Sequence, residues 1–397
     1  MELTLQEILL RRNRFITLMD TQFPHWDSAL LIDNVNQYYF TGTIQNAVLI
    51  IRRDGKFLYG VRRSIERALA ESPLPAQEIM EISTYRDLAR ALGGDLGEVY
   101  IEGDTMPIVT RERLARYFTM NNVGFLDPLI RKLRSIKSPY EVEVIRQSGE
   151  AHRILLEERA PALLREGITE LEFQGELIRE MYYLGYQGLA RFHQFQVDIT
   201  IGQIGFGTNS LSPTWYDGPG GSKGNGPWAP FSGDPGKKLK KGEPAFVDVA
   251  FGMRGYHSDK TQVFYKGDEV PRDFLYAHHF CMDIQKRIAA MLKPGEIPSK
   301  IYEQIMAFIP PENAEHFMGV NPGSRVKFLG HGVGLNIDEL PVIAHGFDEP
   351  LEENMVIALE PKYAVPGLGM AGVEETYLVG RNGGECLTGG VRDVILV

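Results

Sequence analysis

Cysteine is nearly missing from this chain: Cys281 and Cys386 are the only two among 397 residues. That is too few for a disulfide framework and suits a reducing compartment, so any chemistry must come from other side chains. Long apolar runs are missing as well. No stretch approaches the roughly 20 residues that a bilayer-spanning helix needs, which excludes a helical membrane span. Excess positive charge is also lacking. The formal net charge is −10, whereas a nucleic-acid surface needs clustered Lys and Arg to displace counterions from phosphates. The two short basic clusters, 131–137 (RKLRSIK) and 237–241 (KKLKK), read as solvated linker segments. The opening residues, MELTLQEILLRRNRF, carry acids early and read as an amphipathic helix, without the basic start, apolar block and small-residue cleavage site of a secretory leader. The expectation is a cytoplasmic protein that engages neither nucleic acid nor membrane.

With 43% hydrophobic and 24% charged residues, the composition is that of an ordinary globular protein. A chain of this length exceeds the size at which one hydrophobic core stops growing, about 250 to 300 residues, so two domains are expected. Short apolar runs (ALLIDN, NAVLIIRR, KFLYGV, GEVYIEG) alternate with a helix over Tyr85 to Leu92, the pattern of an α/β domain. Its end is marked at SIKSP, where Ser138-Pro139 has the form of a helix entry with proline in the first turn. The expected domains are 1–137 and 138–397.

Beyond that boundary an arrangement repeats. Tyr140 to Leu164 reads as one long helix and Thr169 to Tyr183 as a second, followed by strand-like FQVDITIG and a hairpin over Ala245 to Tyr265. Two helices (Pro271 to Leu292, Ser299 to Phe308), a strand at RVKFLG and a hairpin over Met355 to Val379 then follow in the same order. The reading is two pseudo-equivalent halves closing into one α+β domain. Between the halves' elements lies 217–236, DGPGGSKGNGPWAPFSGDPG, too rich in Gly and Pro for helix or central strand. A loop of this length inside a compact domain is usually functional or disordered; covering the site and being a plain insertion stand as equal alternatives.

The acids of both hairpins are placed symmetrically. In AFVDVAFGMRGYHSDKT, Asp248 and Asp259 are equidistant from a turn centred between Met253 and Arg254, a register in which they face each other directly. In the second hairpin Glu360 and Glu374 are symmetric about Gly367. Like charges so placed repel unless a cation lies between them. His331 lies between the hairpins in FLGHGVGL, where flanking glycines let the backbone approach closely. Any one of these residues alone is ordinarily a solvated strand acid or a loop histidine; their joint symmetry is what points to a site. Four carboxylates and one imidazole would hold two divalent ions, and such a ligand set suits Mn²⁺, Co²⁺, Zn²⁺ or Fe²⁺.

At these residues the sequence resembles the pita-bread metallopeptidase family, which includes aminopeptidase P, prolidase, methionine aminopeptidase and the metal-free creatinase. The resemblance rests on Asp248 and Asp259, on His331 in GHGVGL, on Glu360 in ALEP and on Glu374 in GVEET. It extends to NQYYFTG and RSIKSPYEVEVIR, which look like the creatinase-type amino-terminal domain and its junction. It implies a pita-bread catalytic domain behind a smaller α/β domain, a homodimer, and hydrolysis of short peptides of the Xaa-Pro type by a metal-bridged hydroxide, with Glu360 both ligand and proton acceptor. The accessory histidines of the family are replaced: Asp338 stands seven residues after His331, Lys327 four before it, and Pro213 is followed by Thr214. Asp338 and Lys327 therefore join Glu360 as candidate catalytic residues, and His193, Arg191 and Tyr216 are candidates for binding the substrate. Each has a plainer alternative, in surface, ion-pair or packing roles. His257 alternates to the face opposite Asp259 and is not read as a ligand. The replaced histidines keep two other readings open: a non-peptidase metallohydrolase or lyase of a small metabolite on the same fold, and a catalytically inactive binding homologue.

Overall fold

The computed structural model describes residues 2–320, 323 and 325–397 and divides into two compact units, Met1–Arg134 and Ser135–Val397. In the first, β1 (Ser28–Leu31), β2 (Ala47–Arg52), β3 (Phe57–Val61), β4 (Ile79–Glu81), β5 (Glu98–Ile101) and β6 (Asn122–Phe125) form one mixed sheet in the order β4-β3-β2-β1-β5-β6. The helix Tyr85–Leu92 begins with a capping box between Thr84 and Asp87 and ends at Gly93 with φ 95°, a left-handed cap that glycine adopts without a Cβ penalty. Its Leu88 and Leu92 pack with Leu30, Ile50 and Val99 of the sheet. The basic run 131–137 is no solvated linker. Helix Asp127–Ser135 includes most of it, Arg134 is buried and donates to Asn36 at 3.0 Å, and buried Lys137 pairs with Glu339 at 3.1 Å.

The second unit opens as Ser138-Pro139 foretells, with Ser138 capping Pro139–Ile154 and exchanging a capping box with Glu141. The expected single helix to Leu164 is interrupted. A wide π-type turn occupies Leu155–Arg159 before the short helix Ala160–Leu163. Pro161 supplies the reason: it has no N–H to donate and its ring crowds the carbonyl one turn back, which the wider turn relieves. Thr169 caps Glu170–Tyr183. FQVDITIG is not a strand; pairing begins only at its last residue, and Gln196 within it takes a positive φ of 59°.

Strands β7 (Gly202–Phe206), β8 (Glu243–Met253), β9 (Tyr256–Lys266) and, at the end of the chain, Ile395–Leu396 form one sheet. A second sheet contains β10 (Phe328–Gly332), β11 (Glu339–Ala344), β12 (Val356–Leu359), β15 (Glu375–Gly380) and β16 (Gly383–Cys386) in the order β11-β10-β12-β15-β16, with β13 (Lys362–Val365) and β14 (Gly369–Gly372) as a separate pair. Helices 272–291 and 298–308 pack Phe274, Ile284, Ile288, Ile301 and Ile305 with Ile357 and Leu359. In the other half, Leu155, Phe173, Leu177 and Met181 pack with Val247, Phe251 and Phe264. Each such buried side chain contributes roughly 1.5–3 kcal/mol. The two halves thus present one helical layer each outside strands that carry the polar residues between them. Among the described residues no helix is long and apolar enough to cross a membrane.

The first hairpin departs from the expected register. Its turn is Arg254-Gly255, both at positive φ (48° and 89°), the pattern of a two-residue primed turn that matches strand twist. Asp259 therefore pairs with Ala250, and Asp248 with Thr261. The two aspartates are diagonal neighbours on one face and not opposite each other. The sequence symmetry was misleading because Gly252 continues the strand and does not begin the turn. The second hairpin is split into two ladders, β12/β15 and β13/β14, but both keep one register: Leu359 faces Glu375 and Lys362 faces Gly372. Glu360 and Glu374 sit opposite each other at the interruption.

Helix Pro139–Ile154 contains Gly149, where a Cβ would lie 2.3 Å from the Leu387 carbonyl oxygen. Alanine normally stabilises a helix interior by about 1 kcal/mol over glycine. Here Gly149→Ala is expected to destabilise by about 1–3 kcal/mol through overpacking, read as a lower denaturation midpoint; an unchanged or raised midpoint would show that this backbone contact is not tight.

Candidate metal centre

Two strand pairings bring the acids together. Thr261 of β9 forms a bridge with Glu374, its N–H donating to the Glu374 carbonyl at 3.2 Å. Two residues along, the Asp259 N–H donates to Thr376 Oγ1 at 2.8 Å and that hydroxyl donates to the Asp259 carbonyl at 2.9 Å. The first hairpin is thereby fastened beside the second, and β10 brings His331 opposite Ala358 of β12.

Around His331 Nε2 lie Glu360 Oε1 at 3.2 Å, Asp259 Oδ2 at 3.9 Å and Glu374 Oε1 at 3.9 Å. Asp259, His331 and Glu374 each offer a ligand atom within 4.8 Å of the others. Three donors that close, two of them carboxylates and one an imidazole, fit a divalent cation of the Mn²⁺ to Zn²⁺ group. Asp248 stands to one side, accepting from the Thr261 hydroxyl at 2.8 Å; the same hydroxyl is 3.0 Å from Glu374 Oε2.

Two residues were not foreseen. Lys362, wholly buried, points its ammonium into the carboxylates: 2.9 Å from Glu374 Oε2, 3.7 Å from Glu360 Oε2 and 3.9 Å from Asp248 Oδ2. A signal existed in the sequence, because a lysine inside the apolar run ALEPKYAV has to snorkel or find buried counter-charges. Thr261, which joins Asp248 to Glu374, was equally unmarked.

Charge and burial set the titration of the cluster. Burial pushes the Asp248 carboxyl up to about 7 against the opposing pull of Lys362, and burial with Glu374 and Asp248 raises Asp259 well above the usual carboxylate range. Burial alone would lower His331, but the hydrogen bond and charge of Glu360, with Asp259 and Glu374, outweigh it and bring the imidazole to about 10. For Lys362, burial is likewise outweighed by Asp248, Glu374 and Glu360, so its ammonium is held.

The remaining sequence candidates divide into two groups. Tyr216 borders both an inner cavity of about 30 Å³, lined also by Asp248, Asp259, His331, Glu360 and Glu374, and an outer one of about 540 Å³. The inner space accommodates ions or water, not a substrate. Burial, followed by the charges of Asp338 and Glu360, raises the Tyr216 phenol well above its usual range, so it remains a donor. Lys327 and Asp338 line the outer cavity with Arg325 and His345. Asp338 accepts from the backbone N–H groups of His193 and Gln194 (the latter at 2.8 Å), so it ties the 191–194 segment down. Arg191 holds the same segment through its carbonyl, which accepts from Ile337 N–H at 2.8 Å. His193 and Arg191 line neither cavity. His257, buried, donates from Nδ1 to the Gly334 carbonyl at 3.1 Å and accepts at Nε2 from the Gln187 side-chain amide at 3.0 Å. The glycine-rich loop reaches the inner cavity through Gly218, and a Cβ on Gly220 would come within 2.7 Å of the Phe246 ring. Phe231 is buried between Trp215 and Tyr216, whereas Trp228 is exposed.

Comparison with known proteins agrees with this arrangement. Residues 143–381 match metallopeptidase family M24, and residues 11–136 match the creatinase/prolidase N-terminal domain. A Xaa-Pro dipeptidase of Pyrococcus furiosus is 26% identical over 375 residues, covering 93% of this chain and 95% of that protein. An uncharacterized peptidase of Staphylococcus aureus is 26% identical over 91% of this chain and 94% of its own length. The fold is that of the X-Pro aminopeptidase from Thermotoga maritima, with a TM-score of 0.79 at 21% identity over 98% of this chain and 100% of that one.

Folding raises the proton affinity of Asp248, Asp259 and His331. Stability so gained is present below the unfolded pKa values and lost as pH rises through the folded ones. From Asp248 and His331, which reach about 7 and about 10, the metal-stripped protein is expected to lose stability steadily from about pH 4 to pH 10. Thermal unfolding across that range, with chelator and with Mn²⁺, checks this; a metal-stripped profile that rises with pH would contradict it.

Proposed function

Since the chain belongs to metallopeptidase family M24, we propose that it is a metal-dependent hydrolase of short peptides, of the Xaa-Pro aminopeptidase or dipeptidase type. One observation carries the reading: Asp259, His331 and Glu374 converge within 4.8 Å on the wall of a cavity, with Glu360 3.2 Å from His331. When bound there, a divalent ion supplies charge stabilisation for a polarised amide carbonyl and makes water acidic enough to deprotonate near neutral pH. Glu360 accepts the proton of the attacking water and returns it to the leaving amine nitrogen as the C–N bond breaks. Tyr216, protonated and bordering both cavities, donates to the oxygen that gains charge, the task for which the family histidines are missing. Arg325, Lys327 and His345 on the outer cavity suit the terminal carboxylate of a short peptide. Asp338 acts by holding the 191–194 segment. Cytoplasmic residence and a homodimer belong to the same reading, the former supported by two free cysteines.

Glu360→Gln is expected to reduce kcat by about 10²–10⁴-fold, the usual share of a general base, on Xaa-Pro dipeptides and tripeptides after reconstitution with Mn²⁺, Co²⁺, Zn²⁺ or Fe²⁺. Metal binding without cleavage of any peptide in the panel by the wild-type protein would overturn the peptidase reading in favour of hydrolysis or lysis of a small metabolite.

A further inference from the structure

We infer that the centre takes one divalent ion per chain, the second cation position being filled by the Lys362 ammonium. The inference rests on the metal-dependent reading above and deepens it.

The carboxylate oxygens divide between two positive poles. Glu374 directs Oε1 to within 3.9 Å of His331 Nε2 and Oε2 to 2.9 Å from Lys362 Nζ. Glu360 does the same, with Oε1 3.2 Å from His331 and Oε2 3.7 Å from Lys362. Two carboxylates that each give one oxygen to either side are disposed as bridges between two cations. On the His331 side the donors Asp259, His331 and Glu374 gather closely enough for a metal ion. On the other side Asp248 does not join that group; its Oδ2 lies 3.9 Å from the Lys362 nitrogen.

Lys362 has no route out. Its side chain is wholly buried, it begins β13, and its stem passes so close to Gly372 that a Cβ there would sit 2.7 Å from Lys362 Cα and 3.1 Å from Cδ. The ammonium also lies 5.8 Å over the Phe246 ring, a face that favours a cation. A divalent ion between Asp248 and Glu374 would share those oxygens with a fixed positive charge a few ångströms away, where Coulomb repulsion in a low-dielectric interior is severe. With a neutral imidazole, four carboxylates against one divalent ion and one ammonium leave −1, so the ammonium already offsets the charge on the Asp248 side that a second ion would otherwise have to offset.

The test measures stoichiometry on the full-length protein, stripped and then titrated with Mn²⁺. The wild type is expected to bind one ion per chain and to give the six-line electron paramagnetic resonance signal of isolated Mn²⁺. Lys362→Met keeps an unbranched stem without the charge, and Lys362→Ala opens the space; either that folds is expected to bind two ions, with spin-coupled signals. Two ions in the wild type, or one in a folded Lys362 variant, overturns the inference while leaving the metal-dependent reading intact. No ion bound by the wild type overturns both.

Discussion

Four carboxylates held in one buried cluster are the constraint on which the second unit depends. Asp259, Glu360 and Glu374 are almost wholly buried, Asp248 lies beside them, and at such separations like charges in a poorly polarisable interior repel strongly. The fold can keep them together only by supplying protons, donors or cations. It supplies all three: raised proton affinity at Asp248 and Asp259, the Thr261 hydroxyl between Asp248 and Glu374, and the ammonium of Lys362. An apolar core of the same volume would be easier to build. The cluster persists because the hydrogen-bonded register leaves those side chains nowhere else to go.

That register comes from the backbone. Thr261 against Glu374 and Asp259 against Thr376 join two hairpins that belong to different sheets, so the site is where the two halves of the unit meet. The helices outside provide the apolar burial that holds the halves, with Phe173 and Phe251 on one side and Ile284 and Ile357 on the other. Loops then complete the surroundings. Asp338 grips two backbone N–H groups of the 193–194 segment, and glycines of 217–236 allow that loop to lie against Phe246 and the inner cavity.

Much of this was legible in residue order. The helix entry at Ser138-Pro139, the helix Tyr85–Leu92, the proximity of Glu360 to Glu374 and the irregular 217–236 segment all follow from local chemistry: a proline in a first turn, a period, a turn centre, an excess of Gly and Pro. What was misread also has local causes. Pro161 broke a helix whose apolar period ran through it, Gln196 broke an apparent strand, and Gly252 imitated a turn that actually falls at Arg254-Gly255, shifting Asp248 and Asp259 from opposite to diagonal.

Residue order determined the classes of element, the repeated halves and the set of ligand-type side chains, since these depend on periodicity, caps and side-chain chemistry that each segment carries with it. Tertiary structure alone decided how the carboxylate oxygens are shared between an imidazole and an ammonium. Lys362 is two residues from Glu360 along the chain, yet its partners Asp248 and Glu374 lie 114 and 12 residues away, and only a closed fold brings them within reach of one buried charge.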